Sequence, residues 1–233
     1  MWPGEIEPNL LLIDKPVGIT SFDVIRELRR RTGIRKFGHA GTLDPAASGL
    51  LLLGVEAGTK RLSQLLKLDK VYEATILLGQ SRTTGDQDGE VVEQAEEVNV
   101  TEDSLRAALL DLQGTHQLPV SIYSALKRDG VPLYRLTRQA IAGGTPLPEP
   151  PVRVMTVHQV TYQGCELYIE TGNQLLLVRA TFAVASGVYI RSLAEAFGRR
   201  LGYPACLYAL RRTQVGTYHI ADAARLEDFR SVT

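Results

Sequence analysis

Short apolar runs alternate with polar, glycine-containing turns along most of the chain. The run Leu10–Ile13 predicts a buried strand, and the run Leu50–Leu53 predicts a second one. Between them, Thr20 or Ser21 can cap a helix that continues to about Arg31, because a hydroxyl at this position accepts a hydrogen bond from the first helical turn. The N-terminal part of the chain is therefore predicted to alternate strand, helix and strand.

The remaining pattern predicts four more helices and six more strands. The helices are expected at about Thr59–Leu68, Glu102–Leu112, Leu133–Ile141 and Val188–Leu201, and the strands at Val71–Leu78, Val91–Val92, Val152–Thr161, Cys165–Thr171, Leu175–Ala185 and Val215–Ile220. Residues 117–151 show little regular pattern beyond the short helix, and a segment of this kind is typical of a lid, a binding loop or a disordered insertion. The consecutive strands after residue 151 favour an antiparallel sheet and an α+β fold.

Size and composition indicate one ordinary globular domain. The 233 residues can bury one large core, and no linker divides them. The aliphatic runs are too short to cross a membrane, and the first residues lack the features of a secretory signal, so we expect a cytoplasmic protein. Cys165, Cys206 and the four histidines show no ligand spacing, which predicts neither a disulfide framework nor a metal site.

Charge is distributed unevenly along the chain, although the formal net charge is zero. The segment Asp86–Asp111 holds nine acidic residues and one basic residue, and the rest of the chain keeps 25 basic and 17 acidic residues. Arginine-rich clusters in that remainder, such as residues 26–36, suit phosphate contacts. The charge pattern therefore permits a nucleic-acid partner, although charged helix faces exposed to water would give the same pattern.

Residues 38–49 read Gly-His-Ala-Gly-Thr-Leu-Asp-Pro-Ala-Ala-Ser-Gly and place a single carboxylate, Asp44, in a stiff loop. Pro45 disfavours the α conformation for Asp44, and the glycines allow positive φ and close approach of a ligand. The buried run Leu50–Leu53 follows at once, and rigid core elements often present site residues in this way. Asp44 is thus a candidate catalytic residue, unless it only turns the chain as Asp-Pro pairs often do.

Six short blocks are spread in order over nearly the whole chain. They are Asp-Lys-Pro-Val-Gly-Ile-Thr-Ser at 14–21, the stretch 38–49, Asp-Lys-Val-Tyr at 69–72, Tyr-Ser-Ala-Leu-Lys at 123–127, Gly-Val-Tyr-Ile-Arg at 187–191 and Leu-Arg-Arg at 210–212. Each block alone is weak, but together they resemble the bacterial TruB-type tRNA pseudouridine synthases. The resemblance implies a pseudouridine synthase fold, in which a mixed, mainly antiparallel sheet is flanked by helices and loops around a central active-site cleft.

The same resemblance implies roles for five residues of the expected site. Asp44 would be the catalytic carboxylate, and Arg191 would pair with it and keep it ionised. Tyr72 would stack on the flipped base and could act as a base on the sugar, while Tyr189 and Leu210 would line the pocket. The alternatives are a structural salt bridge for Arg191 and ordinary core packing for Tyr72, Tyr189 and Leu210. Attack of the carboxylate on the base and attack on the ribose both stay open.

Two further residues and one segment are expected to bind the RNA. His39 resembles the residue that occupies the stack vacated by the target base, and Lys15 lies in the Lys-Pro motif that supports the catalytic loop. A solvated histidine and a surface lysine are the alternatives. Residues 118–151 would form an RNA-binding insertion within a single catalytic domain of residues 1–233. Its basic residues are Lys127, Arg128, Arg135 and Arg138.

The function implied is an isomerase that converts the T-loop uridine of tRNA to pseudouridine by base flipping, without metal or cofactor. We expect the T-arm of tRNA as partner, no membrane association and a monomer. Because the sequence ends at Thr233, the C-terminal PUA domain of many relatives is expected to be absent or vestigial. A tRNA-folding module without catalysis is the alternative, and a retaining glycosidase is disfavoured because Asp44 has no evident carboxylate partner.

Overall fold

The computed structural model describes residues 2–229, and its strands and helices follow the chain in a mixed α+β order. The strands are β1 (Glu5–Glu7), β2 (Leu10–Lys15), β3 (Phe37–Ala40), β4 (Ala47–Val55), β5 (Lys70–Leu78), β6 (Gln80–Arg82), β7 (Val91–Gln94), β8 (Gly114–Pro119), β9 (Lys127–Arg128), β10 (Val131–Pro132), β11 (Val152–Glu170), β12 (Asn173–Val184), β13 (Ala205–Val215) and β14 (Tyr218–His219). The α-helices are α1 (Ser21–Thr32), α2 (Leu62–Leu65), α3 (Glu102–Leu110), α4 (Leu133–Gly143) and α5 (Ile190–Leu201), and short 3-10 helices occupy Glu56–Arg61, Ile220–Asp222 and Leu226–Asp228.

Ten of these strands form one sheet, in the order β1-β2-β4-β13-β5-β12-β11-β8, with β3 also paired to β4 and β14 to β13. Its pairs β1–β2, β2–β4, β3–β4, β8–β11 and β13–β14 are antiparallel. The pair β4–β13 is parallel and aligns Leu210, Arg211 and Arg212 with Ala47, Ser48 and Gly49. The predicted α+β class with a mixed, mainly antiparallel sheet is therefore confirmed.

The described residues divide into two compact units. The first contains the chain up to Ala74, the segment Thr181–Gly187 and the chain from Ala209 onward; the second contains Thr75–Ala180 and Val188–Tyr208. The expectation of a single catalytic domain over residues 1–233 stays a prediction.

In the first unit, strand β2 is covered on both faces. Leu11 and Ile13 pack in one apolar cluster with residues of α1, and Leu10 and Leu12 pack in a second cluster on the other face. Because successive strand residues point to opposite faces, two covered faces require an uninterrupted apolar run. This requirement explains the sequence of β2 and of its antiparallel neighbour β4.

Helix α1 has the boundaries that the sequence predicted. The Thr20 side chain accepts from the Asp23 amide, the Asp23 side chain accepts from the Thr20 amide, and Gly33 ends the helix with φ of 74°. These two reciprocal hydrogen bonds satisfy two of the amide donors that the start of a helix leaves unpaired. Glycine adopts the left-handed conformation at the end of the helix without strain. The predicted N-cap and stop are confirmed.

In the second unit, α3 packs against β11 and α5, and α5 also contacts β8. Thr101 caps α3 through the Ser104 amide. The first turn of α5 follows Tyr189, which is in an extended conformation, and the helix ends at Gly202. Both helices bury apolar side chains, among them Leu105 and Leu109 of α3 and Leu193 and Phe197 of α5, as the predicted helical spacing requires.

Several sequence-based boundaries were wrong. The strands predicted at Val152–Thr161 and Cys165–Thr171 are one continuous strand, β11, which passes through Gly164 at a φ of 123°. Glycine tolerates that conformation inside a strand, so it does not end the strand here. The helix predicted at Thr59–Leu68 is a 3-10 turn followed by the single turn α2.

Other elements were missed because their sequences are short or polar. The C-terminal half of strand β13 contains two arginine residues and one threonine residue. Its sequence therefore predicts a loop, although the strand pairs with β4. The segment 117–151 is more regular than predicted, since besides the predicted helix, which is α4, it holds the end of β8 and the hairpin β9–β10. Tertiary pairing, rather than local pattern, makes these segments extended.

Candidate active site

The loop that carries Asp44 connects β3 to β4 and is half-buried at Asp44 itself. The Ala47 amide donates to the Asp44 carbonyl at 3.0 Å, so the backbone turns directly after Pro45 and enters β4. Leu210 of β13 lies opposite Ala47 in the parallel pair. The structure therefore brings Leu210 to the strand end from which Asp44 projects.

The turn after β2 is tied to this loop. The Ser21 hydroxyl donates to the Leu43 carbonyl at 3.1 Å and accepts from the Leu43 amide at 2.9 Å. The Gly18 amide donates to the Pro45 carbonyl at 2.8 Å. Two sequence blocks that lie more than twenty residues apart thus form one hydrogen-bonded substructure on either side of Asp44.

Lys15 is completely buried beneath this substructure, so the alternative of a surface lysine was wrong. Its Nζ donates to the Pro16 carbonyl at 2.9 Å and to the Ile19 carbonyl at 2.7 Å, which closes the turn between β2 and α1. Burial lowers the pKa of Lys15 to about 8, and the negative charge of Asp44 opposes that shift. Lys15 therefore acts on the Asp44 loop in two ways, through the turn and through its charge.

Arg212 holds the loop from the other side and is almost completely buried. Its Nε donates to the Leu50 carbonyl at 2.8 Å and its Nη2 to the Gly41 carbonyl at 3.0 Å. These acceptors lie before and after Asp44 in the chain, so one guanidinium fixes both ends of the loop. A charged donor to two carbonyls is a strong anchor where water is excluded.

Gly49 shows how closely β4 and β13 approach each other. A Cβ atom at Gly49 would lie 2.3 Å from the carbonyl oxygen and 2.7 Å from the amide nitrogen of Arg212, and φ at Gly49 is 105°. Both the close approach and the positive φ require glycine. The sequence suggested that glycine allows a ligand to approach here. At Gly49 it instead allows the backbone of β13 to approach.

His39 and Tyr72 lie on strands of the same unit. His39 belongs to β3, where it pairs with Leu53, and it is half-buried. Its Nδ1 atom is shielded from solvent and has no hydrogen-bond partner within residues 2–229. Burial lowers the pKa of His39, with a smaller contribution from the positive charge of Arg212. Because its pKa is lowered, the imidazole is neutral at pH 7, which suits contact with a base rather than with a phosphate.

Tyr72 is buried in β5, two residues after the buried Lys70. The Lys70 ammonium donates to the carbonyls of Leu66 and Leu68, and burial lowers its pKa to about 8. The Thr213 hydroxyl donates to the Val71 carbonyl at 3.4 Å, so β5 is also linked to β13 next to Tyr72. These contacts fix the backbone that leads into the tyrosine.

Tyr189 and Arg191 lie at the start of α5, in the second unit. Arg191 is buried, its Nη1 donates to the Thr84 carbonyl at 2.7 Å and it forms an ion pair with Asp86 at 3.5 Å. Asp86 also accepts from the Thr84 hydroxyl. The structural salt bridge that the sequence left open for Arg191 is therefore present, and the pairing of Arg191 with Asp44 stays a prediction.

Sequence reasoning missed Asp86 and Arg212 as candidate site residues. Asp86 was counted only within the acidic segment, and Arg212 only as part of the Leu-Arg-Arg block. For Arg212 the available signal was an arginine inside an otherwise apolar strand pairing, because a buried guanidinium must have acceptors around it. Asp86 gave no signal in the sequence alone.

The segment expected to bind RNA folds on itself. The Val120 amide donates to the Pro151 carbonyl at 2.8 Å, which closes the base of the segment. On α4, the guanidinium groups of Arg135 and Arg138 lie 6.0 Å and 5.7 Å from the centre of the Tyr134 ring. The segment thus presents basic and aromatic side chains together, as RNA-binding surfaces do.

Within residues 2–229, no group of three or more histidine, cysteine, aspartate and glutamate side chains is placed to hold a metal ion. No helix there is long and apolar enough to cross a membrane.

Comparison with solved structures identifies the class of protein. The chain matches a chain of a Cbf5–Nop10–Gar1 complex with a TM-score of 0.66 at 25% identity. The match covers 97% of this chain and 57% of the other one. An H/ACA RNP bound to a substrate RNA containing 2′-deoxyuridine matches with a TM-score of 0.64 at 24% identity, over 97% of this chain and 56% of that one, and supports the fold alone. The chain thus spans a little over half the length of these structures, and the fold is that of the pseudouridine synthases.

Sequence comparison identifies the family. The N-terminal domain of the TruB family pseudouridylate synthases matches residues 29–190. A protein of Thermobifida fusca called tRNA pseudouridine synthase B is 43% identical over 94% of this chain and 73% of its own length. A protein of Bordetella avium with the same name is 40% identical over 99% of this chain and 90% of its own length. The chain belongs to the TruB family of pseudouridylate synthases and is an isomerase, as the six sequence blocks predicted.

Proposed function

We propose that this protein converts the T-loop uridine of tRNA to pseudouridine, with Asp44 as the catalytic carboxylate. Family membership and the relatives named tRNA pseudouridine synthase B support the reaction and the class of RNA. The observation that carries the choice of Asp44 is the convergence of separate anchors on its loop, through Ser21, Gly18 and Arg212. Catalysis requires such a fixed position, because small displacements of a reacting group are costly.

The reaction is an internal rearrangement that adds and removes no atoms. The bond between ribose and the base nitrogen breaks, and a bond between ribose and a base carbon forms. The proton on that carbon leaves, and the freed nitrogen gains one. A carboxylate can form a covalent intermediate during these steps, or stabilise the charge that develops on the sugar. We expect Asp44 to perform one of these two tasks.

The other residues surround that step. Tyr72 stacks on the extruded base, and Tyr189 and Leu210 line its pocket. His39 occupies the place that the base leaves, because a neutral imidazole can stack where a charged one would be poorly solvated. Arg191 pairs with Asp44 in the assembled site. Its ion pair with Asp86 restrains the guanidinium.

The insertion is proposed to bind the T-arm. Residues 118–151 offer the arginines of α4 beside Tyr134, and arginine and aromatic groups together bind phosphates and exposed bases. The monomeric state and a cytoplasmic location stay predictions.

The decisive experiment compares the protein with Asp44→Asn on an unmodified tRNA transcript. We expect the protein to form pseudouridine at the T-loop uridine, and the variant to form none while it still binds the transcript. A transcript with cytidine at that position serves as substrate control, and Asp103→Asn, on the exposed first turn of α3, controls for the loss of a carboxylate.

Each outcome decides between the alternatives. Full activity of Asp44→Asn would exclude Asp44 as the catalytic group. Product at a different uridine would exclude the T-loop assignment but not the enzyme class. Binding without product from the unaltered protein would favour the tRNA-folding module, and release of free uracil would favour a glycosidase.

A further inference from the structure

Phe22 is a large aromatic residue that faces water on helix α1. Its exposed fraction is 53%, although it is the second residue of a helix whose other apolar side chains, Val24, Ile25 and Leu28, are buried in the core. Nothing in the packing of α1 requires an aromatic side chain at this exposed position. An exposed phenylalanine on an otherwise polar helix face is therefore a candidate contact for a ligand.

Two arginines lie over the ring. The guanidinium carbon of Arg26 is 5.9 Å from the centre of the Phe22 ring, and that of Arg29 is 5.7 Å from it. The three residues are spaced four and three positions apart, so they share one face of α1.

The charge of this region is strongly positive. Residues 21–36 hold six basic residues, and Asp23 and Glu27 are the only acidic ones. Asp23 pairs with Arg26 at 2.9 Å, and Glu27 pairs with Arg30 at 2.7 Å and with Arg31 at 2.5 Å. The two carboxylates therefore orient part of the arginine cluster but cannot neutralise it.

The N-terminus of α1 is fixed to the candidate active site. Ser21, directly before Phe22, exchanges two hydrogen bonds with the backbone of Leu43, next to Asp44. From Phe22 to Arg29 the helix then rises about 10 Å. An RNA strand that presents its uridine to Asp44 can continue along this face.

We propose that Phe22, Arg26 and Arg29 form a second RNA-binding surface, which holds the strand that flanks the target nucleotide. An unpaired base stacks on the Phe22 ring, and the two guanidinium groups bind the adjacent phosphates. Arginine pairs with phosphate and also stacks on aromatic planes, so this combination fits a nucleic acid better than an acidic protein. The inference rests on the proposed function, since it assumes that the protein acts on RNA.

The test measures binding and turnover of the unmodified tRNA transcript by the full chain. We expect Phe22→Ala to raise Kd about 10-fold through the loss of stacking, and Phe22→Tyr to restore it. We expect Arg26→Gln combined with Arg29→Gln to raise Kd and to reduce the slope of log Kd against log salt concentration by about 1 to 2, because two phosphate contacts are removed. In each variant KM for the transcript rises with Kd, while kcat at saturating RNA stays within about twofold.

Arg106→Gln is the matched control. Arg106 on α3 is similarly exposed, pairs with Glu102 and lies 4.1 Å from the Tyr162 ring centre, but it belongs to the acidic segment. Its loss should leave Kd and the salt slope unchanged. Thermal unfolding of every variant shows whether α1 is intact, and Phe22 is exposed enough for Phe22→Ala to fold.

Two results would overturn the inference. One is a Kd unchanged in the Phe22 and arginine variants while the unaltered protein still forms pseudouridine; the cluster then only stabilises α1. The other is an equal loss of affinity in Arg106→Gln, which would show that any surface arginine has the same effect. An unaltered protein that binds the transcript but forms no product would refute the proposed function alone, because the binding comparison does not depend on catalysis.

Discussion

Replacement of Lys15 by methionine tests whether a buried charge supports the catalytic loop. Lys15 is 0% exposed, and its pKa falls from about 10.5 to about 8 in the folded protein. That fall corresponds to a cost of roughly 3 kcal/mol for the buried ammonium at neutral pH. Methionine has a similar shape and no charge, so Lys15→Met relieves this cost.

The same change leaves two carbonyl groups without their donor. The ammonium serves the carbonyls of Pro16 and Ile19, and each unpaired buried acceptor costs about 1 to 3 kcal/mol. The two effects largely cancel, so we expect the free energy of unfolding at pH 7 to change by less than about 3 kcal/mol. Pseudouridine formation should nevertheless fall about 10- to 100-fold, because the turn no longer positions the Asp44 loop.

The pH dependence provides a sharper check than the stability at one pH. Because the pKa of Lys15 is lower in the folded state, the unfolded chain binds more protons between about pH 8 and 10.5, and stability rises with pH in that range. The free energy of unfolding of the protein minus that of Lys15→Met should therefore increase by about 2 kcal/mol between pH 7 and pH 9.5. Urea unfolding at several pH values measures this difference, and Lys67→Met, which alters an exposed lysine, controls for the loss of one charge.

A difference that stays constant from pH 7 to pH 9.5 would refute the reasoning, since Lys15 would then titrate alike in both states. Full pseudouridine formation by a folded Lys15→Met variant would refute the positioning role and leave only a structural one.

Three further predictions follow from single contacts. In urea unfolding, Gly49→Ala should destabilise the protein by at least about 2 kcal/mol more than Gly114→Ala. Both glycines have φ near 100°, but only Gly49 faces the backbone of a partner strand. Equal losses of stability would show that φ alone matters. Asp86→Asn should cost about 3 kcal/mol of stability and most of the activity, because it removes the ion pair that the buried Arg191 makes with Asp86, and a stable, active variant would contradict this. Because the pKa of His39 is lowered in the fold, the protein should lose stability relative to His39→Gln as pH falls below about 6.5, and parallel pH profiles of the two proteins would speak against it.

Much of the fold could be read from local pattern. The apolar runs of β2 and β4, the capped helix α1 and the helices α3 to α5 were predicted within a few residues, because each has a periodic apolar face or a capping residue of its own. The family and the enzyme class also followed from sequence blocks with a fixed order, and the catalytic role of Asp44 stays a prediction from them.

Tertiary structure alone decided the partners of the buried charged groups. Nothing local shows that Lys15 is buried, that Arg212 reaches the carbonyls of Gly41 and Leu50, or that Asp86 pairs with Arg191. The contacts of Arg212 and of Arg191 join residues more than 100 positions apart in the chain, and the burial of Lys15 depends on which face of a strand is covered. A sequence records which groups are charged, whereas the protein's packing determines which of them lose water and must find a partner. For this reason the candidate carboxylate was identified from the sequence, and the buried cations that hold its loop were found only in the fold.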